Sequence, residues 1–376
     1  ELGTARTESN QLEGYRELID RAETLARMLN DRERLAQVRV RQAQGLWNLW
    51  SGPSNLEDAI ERAREAGALA APDDLRTRSY AQFLVGAASL ASGRFHHAIQ
   101  EFDAGVTLFT AVPADAEVAG LVLPIRASIR AWQAEAYAAL GDFGPALAAA
   151  GEAQRIASEL RHPHAQGLAG VHAGYVLLLQ GQIEAAAAAF ARGLASGKVR
   201  GGNSLGLALA QLLLGQCDDG LKALARGLEL SRDPLGPQMK ILSRYGVIPA
   251  GIYLAAGRLE EAEAAAARGL ELATLDNARA YHVPLGRLRA EARALQEKGR
   301  PGEEALVEWV RLIELAKELS MRTEVAHCSF GLGKLYGRLG DRGAAREWLT
   351  TAVTMYREMA MGFWLEKAEA ALEQVG

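Results

Sequence analysis

Cysteine, aromatic residues and any surplus of one charge are all scarce in this 376-residue chain: 2 Cys, 6% aromatics, and 42 Lys+Arg against 46 Asp+Glu. Cys217 and Cys328 stand 111 residues apart and belong to no CxxC or Cys/His cluster. That excludes a disulfide framework and a cysteine-built zinc site, and points to a reducing, cytoplasmic setting. A formal charge of −4 leaves no global positive field to hold a nucleic acid or an anionic membrane. The longest run without Asp, Glu, Lys or Arg, residues 162–183, still carries three His and three Gln, so it reads as a helical hairpin and not a membrane span. No signal peptide opens the chain, which starts at Glu1 without Met and is expected to be a piece of something longer.

What the chain does have is apolar residue, 49% of the total, and 39 glycines that recur in register. A glycine closes one amphipathic helix before the next at Gly52, Gly93, Gly141, Gly181, Gly215, Gly257, Gly299 and Gly340, with spacings of 41, 48, 40, 34, 42, 42 and 41. Seven residues earlier stands Gly or Ala every time: Gly45, Gly86, Ala134, Gly174, Ala208, Ala250, Ala292 and Gly333. Five residues later come Ala98, Ala146, Ala186, Gly220, Ala262 and Ala345, and after the longer first and seventh turns Ala59 and Ala305 take the slot. Antiparallel helices approach closely only where no side chain separates their backbones, and Gly just past a helix end takes the left-handed conformation that stops it. No stretch alternates with period two for long enough to propose a sheet.

This pattern resembles the tetratricopeptide repeat (TPR), with a small residue and an aromatic on the first helix and a small residue opening the second. The third repeat shows Ala134, Tyr137, Gly141 and Ala146; the sixth Ala250, Tyr253, Gly257 and Ala262; the eighth Gly333, Tyr336, Gly340 and Ala345. The usual proline after the second helix is mostly absent, and only the Gly181 to Gly215 spacing equals the standard 34 residues. The longer repeats resemble the extended variety of bacterial signalling ATPases and maltose-activator-type transcription regulators. The expected fold is all-α: one domain over 1–376, a right-handed solenoid of about eight hairpins. A half repeat over 12–30 precedes them, and a capping helix over 361–374 covers the last apolar face. Gly, Pro and Ser accumulate at 196–202 and 231–237, flanking the short fifth repeat, and mark a hinge.

From Ala326 to Leu372 the resemblance narrows, on Cys328, Gly331 to Tyr336 and Leu349 to Leu365. It is to the TPR tail of bacterial proteins in which a class III adenylate/guanylate cyclase domain or another signalling module precedes an AAA/STAND-type ATPase. It implies a regulatory tail that engages those domains or a separate protein. The cyclase aspartates and Walker motifs are absent, so their activities do not transfer to this stretch.

Chemistry-bearing motifs do not survive scrutiny. Gly331-Leu332-Gly333-Lys334 superficially resembles a phosphate loop, but Leu335 stands where Ser or Thr is needed and no strand precedes it. His96 and His97 start a second helix, His162 and His164 straddle Pro163, and His172, His282 and His327 sit on different first helices. None forms the i,i+4 pair with an adjacent acid that holds zinc, and no Ser or Cys stands in a nucleophile motif. No metal, cofactor or enzymatic activity is expected.

The TPR resemblance also implies which positions line a concave groove: ten and six residues before each turn glycine. They include Phe83, Val171, Tyr175, Leu205, Leu209, Val247, Arg289, Arg293, Phe330 and Lys334. Such a groove is apolar in its middle and basic toward its C-terminal end, suited to a peptide with an acidic end. A plainer reading makes Val171, Leu205, Leu209 and Val247 ordinary core residues. The carboxylate clamp of TPR co-chaperones is not matched, since Gln42, Leu46, Phe83 and Ala87 hold those positions. The expected function is a protein- or peptide-binding module. The alternative is a metabolite sensor of the maltose-activator kind, with Trp47, Trp50, Phe83 or Tyr175 stacking on a sugar.

Overall fold

The computed structural model describes residues 2–49, 56–109, 117–118, 121–122, 124–230, 246–297 and 302–375. The described residues fold as helices and their connecting turns, except for a two-residue antiparallel pairing of Glu117–Val118 with Leu121–Val122. Among the described residues a long leading helix, α1 (Leu2–Met28), is followed by eight hairpins. They are α2 (Arg32–Gln44, continued by a π turn Gly45–Leu49) with α3 (Leu56–Leu69), α4 (Leu75–Ala91) with α5 (Phe95–Phe109), α6 (Ile125–Leu140) with α7 (Phe143–Glu159), and α8 (Pro163–Gln180) with α9 (Ile183–Ala195). Then come α10 (Arg200–Leu213) with α11 (Cys217–Leu230), α12 (Val247–Ala255) with α13 (Leu259–Leu275), α14 (His282–Gln296) with α15 (Glu303–Glu318), and α16 (Arg322–Leu339) with α17 (Arg342–Glu358). A last helix, α18 (Gly362–Val375), packs on α17. Among the described residues no helix is long and apolar enough to cross a membrane.

The small-residue register explains the hairpins. Gly93, Gly141, Gly181, Gly215, Gly257 and Gly340 all have φ between +70° and +88°, the left-handed region that L side chains avoid. Gly52 and Gly299, and with them Trp50 and the 231–237 half of the expected hinge, lie outside the described residues. A Cβ at Gly86 would lie 2.6 Å from the Phe102 ring, at Gly174 2.5 Å from the Phe190 ring, and at Gly333 2.7 Å from Leu349. The alanines in the same two slots, such as Ala134, Ala146, Ala208, Ala250, Ala262 and Ala345, are fully buried. Within the fourth repeat the approach is backbone to backbone, since a Cβ on Gly170 would lie 2.6 Å from Gly193 Cα. The 196–202 stretch is bonded there: Ser196 Oγ donates to Gly193 O at 2.7 Å, and Asn203 Nδ2 donates to Gly167 O and Val199 O at 2.9 Å each.

Between hairpins the turns follow a different rule. Asn30, Arg161, Val199, Asn277, Ser320 and Ala360 carry positive φ without being glycine. Each sits where a second helix hands over to the next first helix, and the flanking helices hold it in a conformation its own sterics disfavour.

The solenoid coils far enough to touch itself. Thr323 Oγ1, at the start of α16, donates to Ala139 O at 3.0 Å at the end of α6. Trp364 Nε1, on α18, donates to Leu179 O at 3.1 Å near the end of α8. These bonds join residues 184 and 185 positions apart. With repeats near 41 residues, one superhelical pass therefore takes roughly 4.5 repeats. The same seam sets Gly93 against Leu319 and Ala280, Gly141 against Met359, and Gly181 against Phe363. Two core clusters cross it: one joins Leu90 and Phe95 to Ala280, Leu319 and Met321, the other Phe143 and Ala146 to Tyr356, Met359 and Met361.

Candidate functional site

The first helices of repeats four to eight, α8, α10, α12, α14 and α16, stand around the inner axis of the coil and leave a cavity of about 310 Å³. Its walls are apolar: Tyr175, Leu178 and Leu179 from α8, Leu209 and Leu213 from α10, Val247, Ile248, Gly251 and Leu254 from α12, and Leu288 from α14. Trp364, the seam residue of α18, contributes to the lining as well. A Cβ on Gly251 would find only Leu209, at 3.6 Å, so this helix presents bare backbone to the space.

One side of the cavity is charged. Arg287 donates from Nε to Glu324 at 2.8 Å and has Glu291 at 3.9 Å, and Lys334 donates to Glu291 at 3.0 Å. Two cations and two anions thus neutralise one another along α14 and α16. The neighbouring Lys334 and Arg287 hold the Glu291 carboxyl below its usual range against the opposing effect of burial, and Glu324 and Glu291 keep Arg287 charged. Burial raises the Tyr175 phenol, so its hydroxyl stays protonated. His327, buried behind the cluster with its Nδ1 2.8 Å from the Tyr356 hydroxyl, is pushed well below its ordinary value, first by desolvation and then by Arg287. It is a neutral ring at pH 7. A narrower tract of about 50 Å³ shares Tyr175, Leu179, Pro284 and Glu324 with the cavity and runs on to Glu135. Glu135 lies 2.7 Å from His172, both of them buried, at an angle outside hydrogen-bond geometry. Among the described residues no three His, Cys, Asp or Glu side chains come together as a metal site would require.

The expected groove residues divide into four groups. Tyr175, Leu209 and Val247 meet in the cavity. Phe83, Val171 and Leu205 are inside the protein: Phe83 packs between Trp47, Tyr80 and Phe102, and Val171 and Leu205 lie in the core between α8 and α10. Trp47 and Trp132, with ring centroids 5.3 Å apart, fill the inner face of the early repeats, so neither Trp47 nor Phe83 is free to stack on a sugar. Phe330 and Lys334 form a cation–π pair at 4.7 Å, with Lys334 also reaching Glu291.

Arg289 and Arg293 go elsewhere, into a cleft of about 730 Å³ between α14 and α15, where Arg289 pairs with Glu308 at 2.6 Å and Arg293 with Glu263 at 2.6 Å. The reason is a register slip. α14 ends at Gln296, well before Gly299, so the count must start from Glu297. Ten and six residues before Glu297 stand Arg287 and Glu291, the residues that do line the cavity. The expected basic end of the groove is consequently a neutral one, each cation matched by a glutamate.

Comparison with known proteins agrees with this architecture. The tetratricopeptide-repeat family model matches residues 326–359, which cover most of α16 and all of α17. No curated protein matches the chain. Among solved structures, a Rap protein complexed with competence and sporulation factor is 13% identical and superposes with a TM-score of 0.63 over 96% of this chain and 99% of its own. The APC/C hetero-tetramer Cut9–Hcn1 gives 12% identity and 0.56, over 96% of this chain and 59% of that one. The Rap conjugation gene regulator of plasmid pLS20, in complex with the Phr* peptide, gives 15% and 0.51, over 98% and 96%. At these identities the likeness is one of fold: a TPR-like helical solenoid.

Proposed function

We propose that this chain is a non-enzymatic interaction module that holds a segment of a peptide or protein in its inner cavity. The observation that carries the reading is the cavity itself: five consecutive first helices converge on an apolar space that their own side chains leave open. Buried apolar surface is where binding energy concentrates, and a volume near 300 Å³ lies at the small end of specific pockets. Two structures that share the fold were solved as complexes, one with competence and sporulation factor and one with the Phr* peptide. The resemblance of 326–372 to the tails of cyclase–ATPase proteins supplies a source for the segment, another part of a multidomain signalling protein working in the cytoplasm. The whole chain acts in this reading as one domain. A small metabolite is the second reading, favoured by how few side chains the cavity can hold.

Affinity selection of displayed random dodecapeptides on the folded chain, followed by calorimetric titration of those enriched, tests the first reading. It predicts peptides with a shared pattern that bind one to one. If nothing enriches over the heat-denatured chain, while a metabolite panel raises the melting temperature, the second reading replaces the first.

A further inference from the structure

We infer that the cavity selects an uncharged, aliphatic anchor side chain from the bound peptide, and that Arg287 and Glu324 enforce this choice by facing the anchor as an already neutralised pair. The inference rests on the peptide reading above and adds the chemistry of what enters. Tyr175, Leu209, Val247, Ile248 and Leu254 offer hydrocarbon on three sides, which a Leu, Ile or Met side chain would cover. The fourth side carries charge but none to spare: Arg287 is matched by Glu324 at 2.8 Å, and Glu291 by Lys334 at 3.0 Å.

A carboxylate entering the cavity would meet Arg287 together with two glutamates. An ammonium would meet those glutamates together with Arg287 and Lys334. Either ion would give up its hydration for a site whose counter-charges are committed, which costs more than it returns. The peptide backbone beside the anchor meets no such penalty. Arg287 has N–H donors beyond the Nε–H given to Glu324, and the carboxylates accept, so a neutral amide can be bonded there without any charge left unmatched. Gly251 leaves room for that backbone to approach α12.

The test uses three versions of one dodecapeptide enriched in the selection above, identical except for Leu, Asp or Lys at the anchor. N-acetyl-leucinamide serves as an isolated probe of the side chain. Binding is read by titration and by methyl NMR of Leu209, Val247, Ile248 and Leu254. The Leu peptide should bind at least roughly tenfold tighter than either charged one, with leucinamide shifting the same methyls. Gly251→Leu, which fills the space, should abolish the preference while leaving the melting temperature within a few degrees. Glu324→Gln frees one counter-charge of Arg287 and should shift the preference toward the Asp peptide by roughly tenfold. This second variant decides the matter should Gly251→Leu fail to fold. Equal binding of all three peptides, or no change in preference with Glu324→Gln, overturns the inference and leaves the peptide reading standing. Absence of any peptide binding removes that reading and the inference with it.

Discussion

At the level of single residues, glycine and alanine decide how closely helices approach, and this was the most legible part of the sequence. The turn glycines announce themselves by spacing, and the positions seven before and five after them are small because a Cβ there meets a ring or a backbone. Phe190 shows the cost of changing one. Its buried ring touches both Gly174 and Gly206, so Gly174→Ala should destabilise the chain by ~1–3 kcal/mol. Trimming the ring with Phe190→Leu in that background should recover part of the loss, giving a coupling in a denaturation double-mutant cycle. Additive effects would mean that the ring does not fill the space between these helices. The handover turns were illegible, because Arg161, Ser320 and Ala360 announce nothing about a left-handed backbone. Ala360, at φ +54°, carries a strain that glycine lacks. Ala360→Gly should raise stability by up to about 1 kcal/mol, since relief of strain outweighs the added freedom of the unfolded chain. A lower melting temperature for that variant would contradict this.

At the level of elements, the spacing of the turn glycines gave the hairpins seen among the described residues, while helix ends decided which side chains face inward. The slip at α14 is the instructive case: the pattern located the helix, but the glycine used as an anchor lies beyond its end, and two residues of slip turn a groove position to the opposite face. Arg287 and Glu291, four residues apart and so of opposite charge on one face of the helix, were the available signal. The leading helix depends on a polar clamp. Glu23 accepts from Arg39 at 2.8 Å and from Gln42 at 2.7 Å, and Arg39 reaches on to Glu65 in α3 at 2.6 Å. The bond from Arg39 holds the Glu23 pKa down from 4.5 to about 2. A carboxyl depressed on folding stabilises the folded state above pH 4.5 and loses that contribution as the pH falls toward 2. Acid titration followed by hydrogen exchange in α1 should therefore show protection fading across this window. Glu23→Gln should already lack that protection at pH 7 and show a flatter acid response. Identical profiles for the two proteins would mean that the clamp does not hold α1.

For the whole molecule, the decisive feature is closure of the coil on itself, which no local pattern in the sequence reports. The seam joins residues about 185 apart, and its donors, Thr323 and Trp364, look ordinary in sequence. Trp364 belongs both to the seam and to the cavity lining, so the two share a wall. Trp364→Phe removes the bond to Leu179 O and should cost about 0.5–1.5 kcal/mol. Amide exchange should quicken at 177–182 and near 361–366 more than in the early hairpins. Uniform acceleration along the chain would argue that the seam is not a separate contact. The central claim, that the inner cavity is where a partner segment sits, is tested most directly by photo-cross-linking. A benzoylphenylalanine replaces Leu209 inside the cavity or Leu221, 39% exposed on α11, and each protein is irradiated with a selected peptide. Adducts from position 209 alone, competed away by unlabelled peptide, are the predicted result; adducts from position 221 alone, or equally from both, would contradict it.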